Sequence, residues 1–297
     1  MYPAEFEYFA PGSVDEVLEL LAQHGEEAKI LAGGQSLIPM MKLRIASPRY
    51  LIDVNRIPSL GGLRQEGDRL VIGALCRHTE IAQSALVRLR LPLMTDAASQ
   101  TADVQVRNRG TVGGSLAHAD PAGDWPAALL ALDTTVTIAG RDGLRTAPLS
   151  EFIVDAYTTQ LGPIEMLTQI SIALPKPPGG GAYVKFEKRA GDFAVASVGV
   201  QLELGEGGQC RAVAISLGAL GAMPTRARLA EDLLRGREAT PELLAEAEQL
   251  VRAEAQPFDD TRGSVDYKRH LAGVIFRRAF AAAIDRARGK DVATLHV

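Results

Sequence analysis

The chain has 297 residues, 46% of them apolar and 23% charged, which is the composition of a globular protein of about two domains and excludes a disordered polymer. A net charge of −4, a pI near 5.8 and the lack of any Lys/Arg block argue against a nucleic-acid partner. No window approaches the ~18 uninterrupted apolar residues of a membrane span, and the opening MYPAEFEYFAPGS, neither basic nor followed by an apolar core, does not read as a secretory signal.

Ser13 followed by Glu16 reads as a capping box, and Val14, Val17, Leu18 and Leu21 at helical spacing predict a first helix that Gly25 closes. A short strand, Lys29-Ile30-Leu31, runs into Ala32-Gly33-Gly34-Gln35-Ser36, and a strand at 50–54 follows after a polar loop. These opening residues, 1–57, form a small α/β unit. From 58 to 175 the pattern is mixed. A strand is expected at 69–73, a helix within 81–99 limited by Pro92, a polar glycine-rich stretch at 103–124, a helix at 126–132, and strands at 134–139 and 166–174. The run Pro175-Lys176-Pro177-Pro178-Gly179-Gly180-Gly181 predicts an irregular linker and a domain boundary. Beyond it, strands at 182–187, 194–204 and 211–217 form a meander with a hairpin at Gly205–Gly208. Helices are expected at 225–234, 241–255 and about 264–288, so residues 176–297 read as an α+β domain.

Glycine is the compositional anomaly: 29 residues, about a tenth of the chain, against a usual ~7%, partly in doublets. In Ala32–Ser36 two adjacent glycines let backbone N–H groups converge without Cβ obstruction, and Ser36 adds a hydroxyl, equipment for an anionic group such as a pyrophosphate. The simpler reading is a tight turn. Gly110-Thr111-Val112-Gly113-Gly114-Ser115 repeats the pattern, and small residues dominate the stretch after it. Asp120 and Asp124 are placed to accept bonds from ribityl or ribose hydroxyls. Two such segments fit one long ligand, such as a dinucleotide, clamped from both sides. Neither contains G-x-G-x-x-G, and neither is followed by the Gly-Lys-Ser/Thr of a P-loop.

Cys76 and Cys210 lie too far apart in number and spacing for a metal cage or an iron–sulfur cluster from this chain alone, and are expected to be reduced thiols. The five histidines, His24, His78, His118, His270 and His296, show no ligand pair. Lys185 is either a surface lysine on a half-exposed strand or a cation beside a flavin's pyrimidine edge; Phe193 is either core or a stacking partner. His118 and Trp125 read first as structural residues.

The segments KILAGGQSLIPMMKLR (29–44), VRNRGTVGGSLAHADPAGDWPAALLALD (106–133) and VKFEKRAGDFAVASVGV (184–200), in this order and spacing, resemble the FAD-binding medium subunit of the molybdenum hydroxylases, the xanthine oxidase-related group, and within it the aerobic carbon monoxide dehydrogenase branch. The resemblance covers nearly the whole chain. It implies an α+β architecture: a two-subdomain FAD-binding fold of the vanillyl-alcohol-oxidase/PCMH type, then a C-terminal domain of antiparallel sheet plus helices. It implies FAD contacts from Ala32, Gly33, Gly34, Gln35 and Ser36, flanked by Lys29, Leu31 and Leu37. From the second segment it carries over Gly110, Thr111, Gly113, Gly114, Ser115, Ala117 and Asp124. Ala102 and Leu167 match positions lining the flavin, and Lys185 and Phe193 positions beside its isoalloxazine ring. Gln35 stands where His or Asn is frequent, and Phe193 where Tyr is common in carbon monoxide dehydrogenases. Two lone cysteines exclude the four-cysteine insertion of the benzoyl-CoA-reductase-like branch.

By the same resemblance, the chain is expected to be the flavoprotein of a heterotrimer, itself dimerised. A large subunit would hold a molybdenum cofactor and a small one two [2Fe–2S] clusters. Quinone, NAD or oxygen would be the terminal acceptor. No side chain here is expected to act as acid or base on the primary substrate. The expected location is cytoplasmic, either free or peripheral at the inner membrane face through the complex. The alternatives are an aldehyde, nicotine-like or purine hydroxylase subunit, a stand-alone FAD oxidase, and a non-enzymatic nucleotide-binding module.

Overall fold

The computed structural model describes residues 2–295; His296 lies outside them. The first unit is built from β1 (Glu7–Phe9), α1 (Val14–His24), β2 (Ala28–Leu31), α2 (Leu37–Lys42) and β3 (Tyr50–Asp53), with the strands parallel in the order β1-β3-β2. The Ser13 hydroxyl accepts the Glu16 N–H at 3.2 Å, while the Glu16 carboxylate takes the Gly12 N–H at 2.8 Å, one residue earlier than a strict box. Val17 and Leu21 are buried on the sheet against Ile52 and Val54. The segment between the glycines and β3 is not a polar loop. Its apolar run Leu37-Ile38-Pro39-Met40-Met41 coils as α2, which buries Met41.

The second unit begins with β4 (Leu63–Glu66) and β5 (Arg69–Gly73). It continues through α3 (His78–Gln83), α4 (Ala85–Arg90), α5 (Pro92–Gln100), α6 (Val104–Arg109), α7 (Val112–His118) and α8 (Asp124–Leu130). It ends with β6 (Thr134–Gly140), β7 (Gly143–Pro148), α9 (Leu149–Phe152), β8 (Ile153–Asp155), β9 (Thr158–Thr159) and β10 (Glu165–Ala173). Its antiparallel sheet has the order β4-β5-β10-β6-β7, with β8 and β9 paired separately. Two expectations are corrected. The single helix within 81–99 is three short ones, because Ser84 caps a new helix and Leu91 breaks before Pro92. The stretch 103–124 holds two helices, each with its own N-cap. Asp103 accepts the Val106 N–H at 2.9 Å, and Thr111 accepts the Gly114 N–H at 3.1 Å.

The third unit is an antiparallel meander, β11 (Gly179–Phe186), β12 (Ala196–Leu204), β13 (Cys210–Gly218) and β14 (Thr225–Arg226). It is covered by α10 (Arg228–Leu234), α11 (Pro241–Glu254) and α12 (Val265–Ala287). Gly179–Gly181 is therefore strand, not linker. A side-chain carbon on Gly180 would collide with the Ala283 carbonyl and lie 2.5 Å from the Ala287 nitrogen, so the bare backbone lets α12 lie directly on the sheet. The helix expected from Thr225 starts three residues later, since Thr225 and Arg226 pair with Leu217 and Ser216. Phe276, Ala279, Phe280 and Ala283 fill the core beneath.

Asp96 on α5 joins the front half to the back. It accepts two bonds from the Arg286 guanidinium, at 2.6 and 3.0 Å, the Thr294 hydroxyl at 2.8 Å and the Tyr183 N–H at 3.1 Å. Both groups of the ion pair are almost wholly buried. Among the described residues no helix is long and apolar enough to cross a membrane, and no group of three His, Cys, Asp or Glu is placed to hold a metal ion.

Candidate functional site

The first glycine segment leaves the end of β2. Its backbone N–H groups, from Gly33 through Leu37, donate to no acceptor among the described residues, while the Ile38 and Met40 N–H groups close back on the Gly34 and Ser36 carbonyls at 3.0 and 3.2 Å. Gly34 has φ +75°, which turns the run. Gln35 and Ser36 are exposed, Leu31, Ala32 and Leu37 half-buried, and Lys29 exposed on the strand before them. A row of free amides at one turn is a concave donor set for a phosphate-sized anion.

The second segment faces it. A side-chain carbon on Gly33 would lie 2.5 Å from the Arg109 carbonyl oxygen and 2.8 Å from the Gly110 Cα. The same construction on Gly114 reaches the Ala32 Cβ at 3.8 Å. The two segments are therefore in van der Waals contact. Their chemistry differs, however, from the repeated amide cradle read from sequence. The N–H groups of Val112, Gly113 and Ser115 are bound to the carbonyls of Cys76, Ala74 and Thr111, and that of Gly114 to the Thr111 hydroxyl. What α7 offers instead is a bare flank: half-buried Gly114 and Ser115, and exposed Ala117. Gly113 and Gly110 are small for internal reasons: a side-chain carbon on either would stand 2.6 Å from Ala74 or from the His78 ring.

Three residues that sequence reasoning did not single out hold the contact. Asn55 donates to the Ala32 carbonyl at 2.8 Å and to Asp53 at 2.6 Å. Arg77 donates one terminal nitrogen to the Asn55 side-chain oxygen and the other to the Arg109 carbonyl. His78 lies buried under Gly110, stacked on Trp125 with ring centres 5.5 Å apart. Burial, with the nearby charges of Arg77 and Arg107, pushes its pKa down to about 4. Burial and then Arg109 also pull the Arg77 guanidinium below its usual range. Nothing local in the sequence marks Asn55 or Arg77, since their partners are distant in the chain.

Below α7 a buried charge cluster crosses between units. Lys185, only 2% exposed, donates to the Gln100 carbonyl at 2.9 Å and lies 3.0 Å from Glu187 and 3.3 Å from Asp124. Asp124 also accepts the Tyr183 hydroxyl at 2.9 Å, and burial raises its carboxyl above the ordinary range against the pull of Lys185 and Tyr183. Lys185 is thus no surface lysine: its ammonium hydrogen-bonds the Gln100 carbonyl and Asp124 and lies in charge contact with Glu187. Asp124 is bound from within the protein in the same way. Glu187 in turn accepts the Gly191 N–H at 3.1 Å, and Gly191 rests against Ala102, whose own φ is +46°. Phe193, at the end of that loop, is 50% exposed with the Arg262 guanidinium 5.8 Å from its ring centre, so it is not core. Leu167 is buried in the core of the second unit, and the His118 ring lies tilted against Tyr157, ring centres 5.3 Å apart. The structure therefore brings the two glycine segments together, joins Ala102 to the loop bearing Phe193, and puts Asp124 and Lys185 in one buried pair.

The sequence matches the FAD binding domain in molybdopterin dehydrogenase over residues 4–177 and the CO dehydrogenase flavoprotein C-terminal domain over 181–283. It is 41% identical to the carbon monoxide dehydrogenase medium chain of Hydrogenophaga pseudoflava, across 95% of this chain and 98% of that one. With the nicotine 6-hydroxylase medium subunit of Paenarthrobacter nicotinovorans it shares 37% identity, across 93% and 96%. The structure of the Hydrogenophaga pseudoflava carbon monoxide dehydrogenase that lacks the Mo-pyranopterin moiety superposes with a TM-score of 0.93, at 42% identity, over 96% of this chain and 99% of that chain. The architecture is thus that of an FAD-binding flavoprotein, a PCMH-type domain of two subdomains with a C-terminal domain behind it. The chain belongs to the family of FAD-carrying medium subunits of molybdenum-dependent hydroxylases and dehydrogenases, the xanthine oxidase-related group.

Proposed function

We propose that this chain carries electrons for a molybdenum hydroxylase of the carbon monoxide dehydrogenase type, receiving them from the [2Fe–2S] clusters of a small partner subunit and delivering them to quinone, NAD or oxygen. The observation that supports this reading is the contact between the two glycine segments, with a run of unpaired amides on one side and a bare helix flank on the other. Such a donor set fits a diphosphate bridge; no protein carbonyl among the described residues accepts from these amides. FAD, when bound, supplies one-electron acceptance and two-electron release.

This chain's residues hold and orient it. Gly33, Gly34, Gln35, Ser36 and Leu37 present amides, and Thr111 and Ser115 present hydroxyls from the opposing helix. Ala32, Gly114 and Ala117 keep the approach free of side chains, Gly110 and Gly113 seat the second segment closely on His78 and Ala74, and Lys29 and Leu31 lie on the strand leading in. Ala102 and Phe193 bound the ring end and exclude water from it, and Leu167 is assigned to the flavin-lining set from its family position. Asp124 and Lys185 act on the ring end through fixed charge rather than by a direct lysine bond, because the buried Lys185 ammonium is already bound to the Gln100 carbonyl and Asp124 and neutralised by Glu187. No residue of this chain is assigned an acid or base role toward the primary substrate. That substrate would be handled in a large subunit carrying the molybdenum cofactor, within a dimer of heterotrimers working in the cytoplasm. The similar identity to medium subunits named for carbon monoxide and for nicotine supports placing substrate choice outside this chain.

The test is purification of the tagged chain with whatever partners accompany it, followed by quantitation of flavin, molybdenum and iron. The reading expects one FAD, one molybdenum and four irons per copy of this chain. An assembly without flavin would refute it.

A further inference from the structure

We infer that Arg77 and Asn55 form a strut that sets the spacing of the two glycine segments, and that affinity for the diphosphate-bridged cofactor depends on this strut. The inference rests on the FAD reading above. The Ala32 carbonyl, at the start of the first segment, accepts the Asn55 amide. The Asn55 oxygen accepts one terminal nitrogen of Arg77, and the other reaches the Arg109 carbonyl, at the start of the second. Three hydrogen bonds through two side chains thus span from one segment to the other. Their end carbonyls flank the place where Gly33 touches Arg109 and Gly110.

Both members are anchored independently of any ligand. Asn55 is fixed by Asp53, whose other oxygen accepts the Tyr8 hydroxyl at 2.7 Å. Arg77 is fixed by its backbone, whose N–H binds Glu80 at 2.6 Å and whose β-bridge to Thr111 ties it to the second segment directly. The planar guanidinium suits this place because two separate nitrogens must meet two acceptors in fixed directions. A lysine ammonium is a point charge without that fork. The strut also sets a permanent cation beside the free amides of Gly33 to Leu37, where a diphosphate would bring negative charge.

The experiment measures FAD dissociation constants by flavin fluorescence on the full-length protein, with any partner subunits that co-purify. The wild type is measured first, then Arg77→Gln, Arg77→Lys, Asn55→Ala and the double variant Arg77→Gln/Asn55→Ala. Competition by ADP, which carries the diphosphate without the flavin, is read alongside. Each single variant is expected to weaken FAD and ADP roughly 10- to 100-fold. The double variant should be little worse than the weaker single, because one strut is cut either way. Arg77→Lys should not restore affinity. The absorption spectrum and midpoint potential of flavin still bound should match the wild type, since the strut lies at the diphosphate end. Wild-type affinity in Arg77→Gln and Asn55→Ala, or effects that add fully in the double, would overturn the strut while leaving the FAD reading intact. If Arg77→Gln does not fold, Asn55→Ala and Arg77→Lys make the same comparison. A wild-type protein that binds no FAD would overturn the underlying reading, and this inference with it.

Discussion

The backbone of Gly33 lies against the carbonyl of Arg109, so closely that a side-chain carbon at 33 would stand 2.5 Å from that oxygen. The neighbouring atoms are main chain on both sides and have little freedom to yield. Gly33→Ala is therefore expected to force the two segments apart, costing about 1–3 kcal/mol of stability by overpacking. FAD content should fall as well. Chemical unfolding and flavin quantitation check both, and a fully stable, fully flavinated variant would show that the contact is dispensable.

His78 gives stability a pH dependence. Its imidazole is held near 4 in the fold against an ordinary 6.5, so the unfolded chain binds the proton more readily between those values. Stability then rises with pH across that window, is fully present above it, and is lost as pH falls through it, by up to about 3 kcal/mol. Denaturation midpoints from pH 4 to 7 should show this slope, and His78→Phe should flatten it.

The buried triad of Asp124, Lys185 and Glu187 is asymmetric. Lys185→Met leaves two carboxylates facing each other without their cation, and should cost about 3–5 kcal/mol. Asp124→Asn keeps an acceptor for Tyr183 and leaves Lys185 paired with Glu187, so about 1 kcal/mol is expected. Urea unfolding of both variants tests the order. Equal costs would mean that Glu187 does not share the lysine.

Phe193 is half exposed, with the Arg262 guanidinium 5.8 Å from its ring centre. Phe193→Ala should change stability by less than about 0.5 kcal/mol. If the residue bounds the flavin ring as proposed, the same substitution should shift the visible spectrum and fluorescence of the bound flavin. Unchanged optical properties would remove it from the site.

Gly180→Ala tests the packing of α12 on β11. The added methyl would meet the Ala283 carbonyl and the Ala287 nitrogen, both backbone of the helix, for a loss of about 1–3 kcal/mol. Flavin content per folded molecule should be unaffected, which flavin titration beside thermal unfolding can establish.

How much of this was legible before the structure varies by element. The first helix was readable because its cap, its periodicity and its closing glycine are local signals that agree. The helix carrying Gly113 and Gly114 was not, since paired glycines argue for a loop; the overlooked signal was Thr111, three residues ahead of Gly114, as an N-cap. Gly179–Gly181 misled in the same direction, because a glycine run describes freedom in isolation and close helix approach in context. Lys185 could not be placed because its strand is buried on both faces, by α12 on one side and α5 on the other, which erases the alternation that tells in from out. The role of Asn55 and Arg77 leaves no trace in any local pattern, since the bonds that make the strut, Arg77 to Asn55 and to Arg109, span 22 and 32 residues.

The grip of Asp96 on Arg286 and Thr294 has a practical corollary. The last described residues double back to anchor on a helix from the first half, so the covalent link at Pro175–Pro178, exposed from Lys176 onward, is not what keeps the halves together. Limited digestion there should yield two pieces on a denaturing gel that still elute as one particle under native conditions. Clipping the final residues instead, or loading them with a bulky fusion, should loosen that embrace.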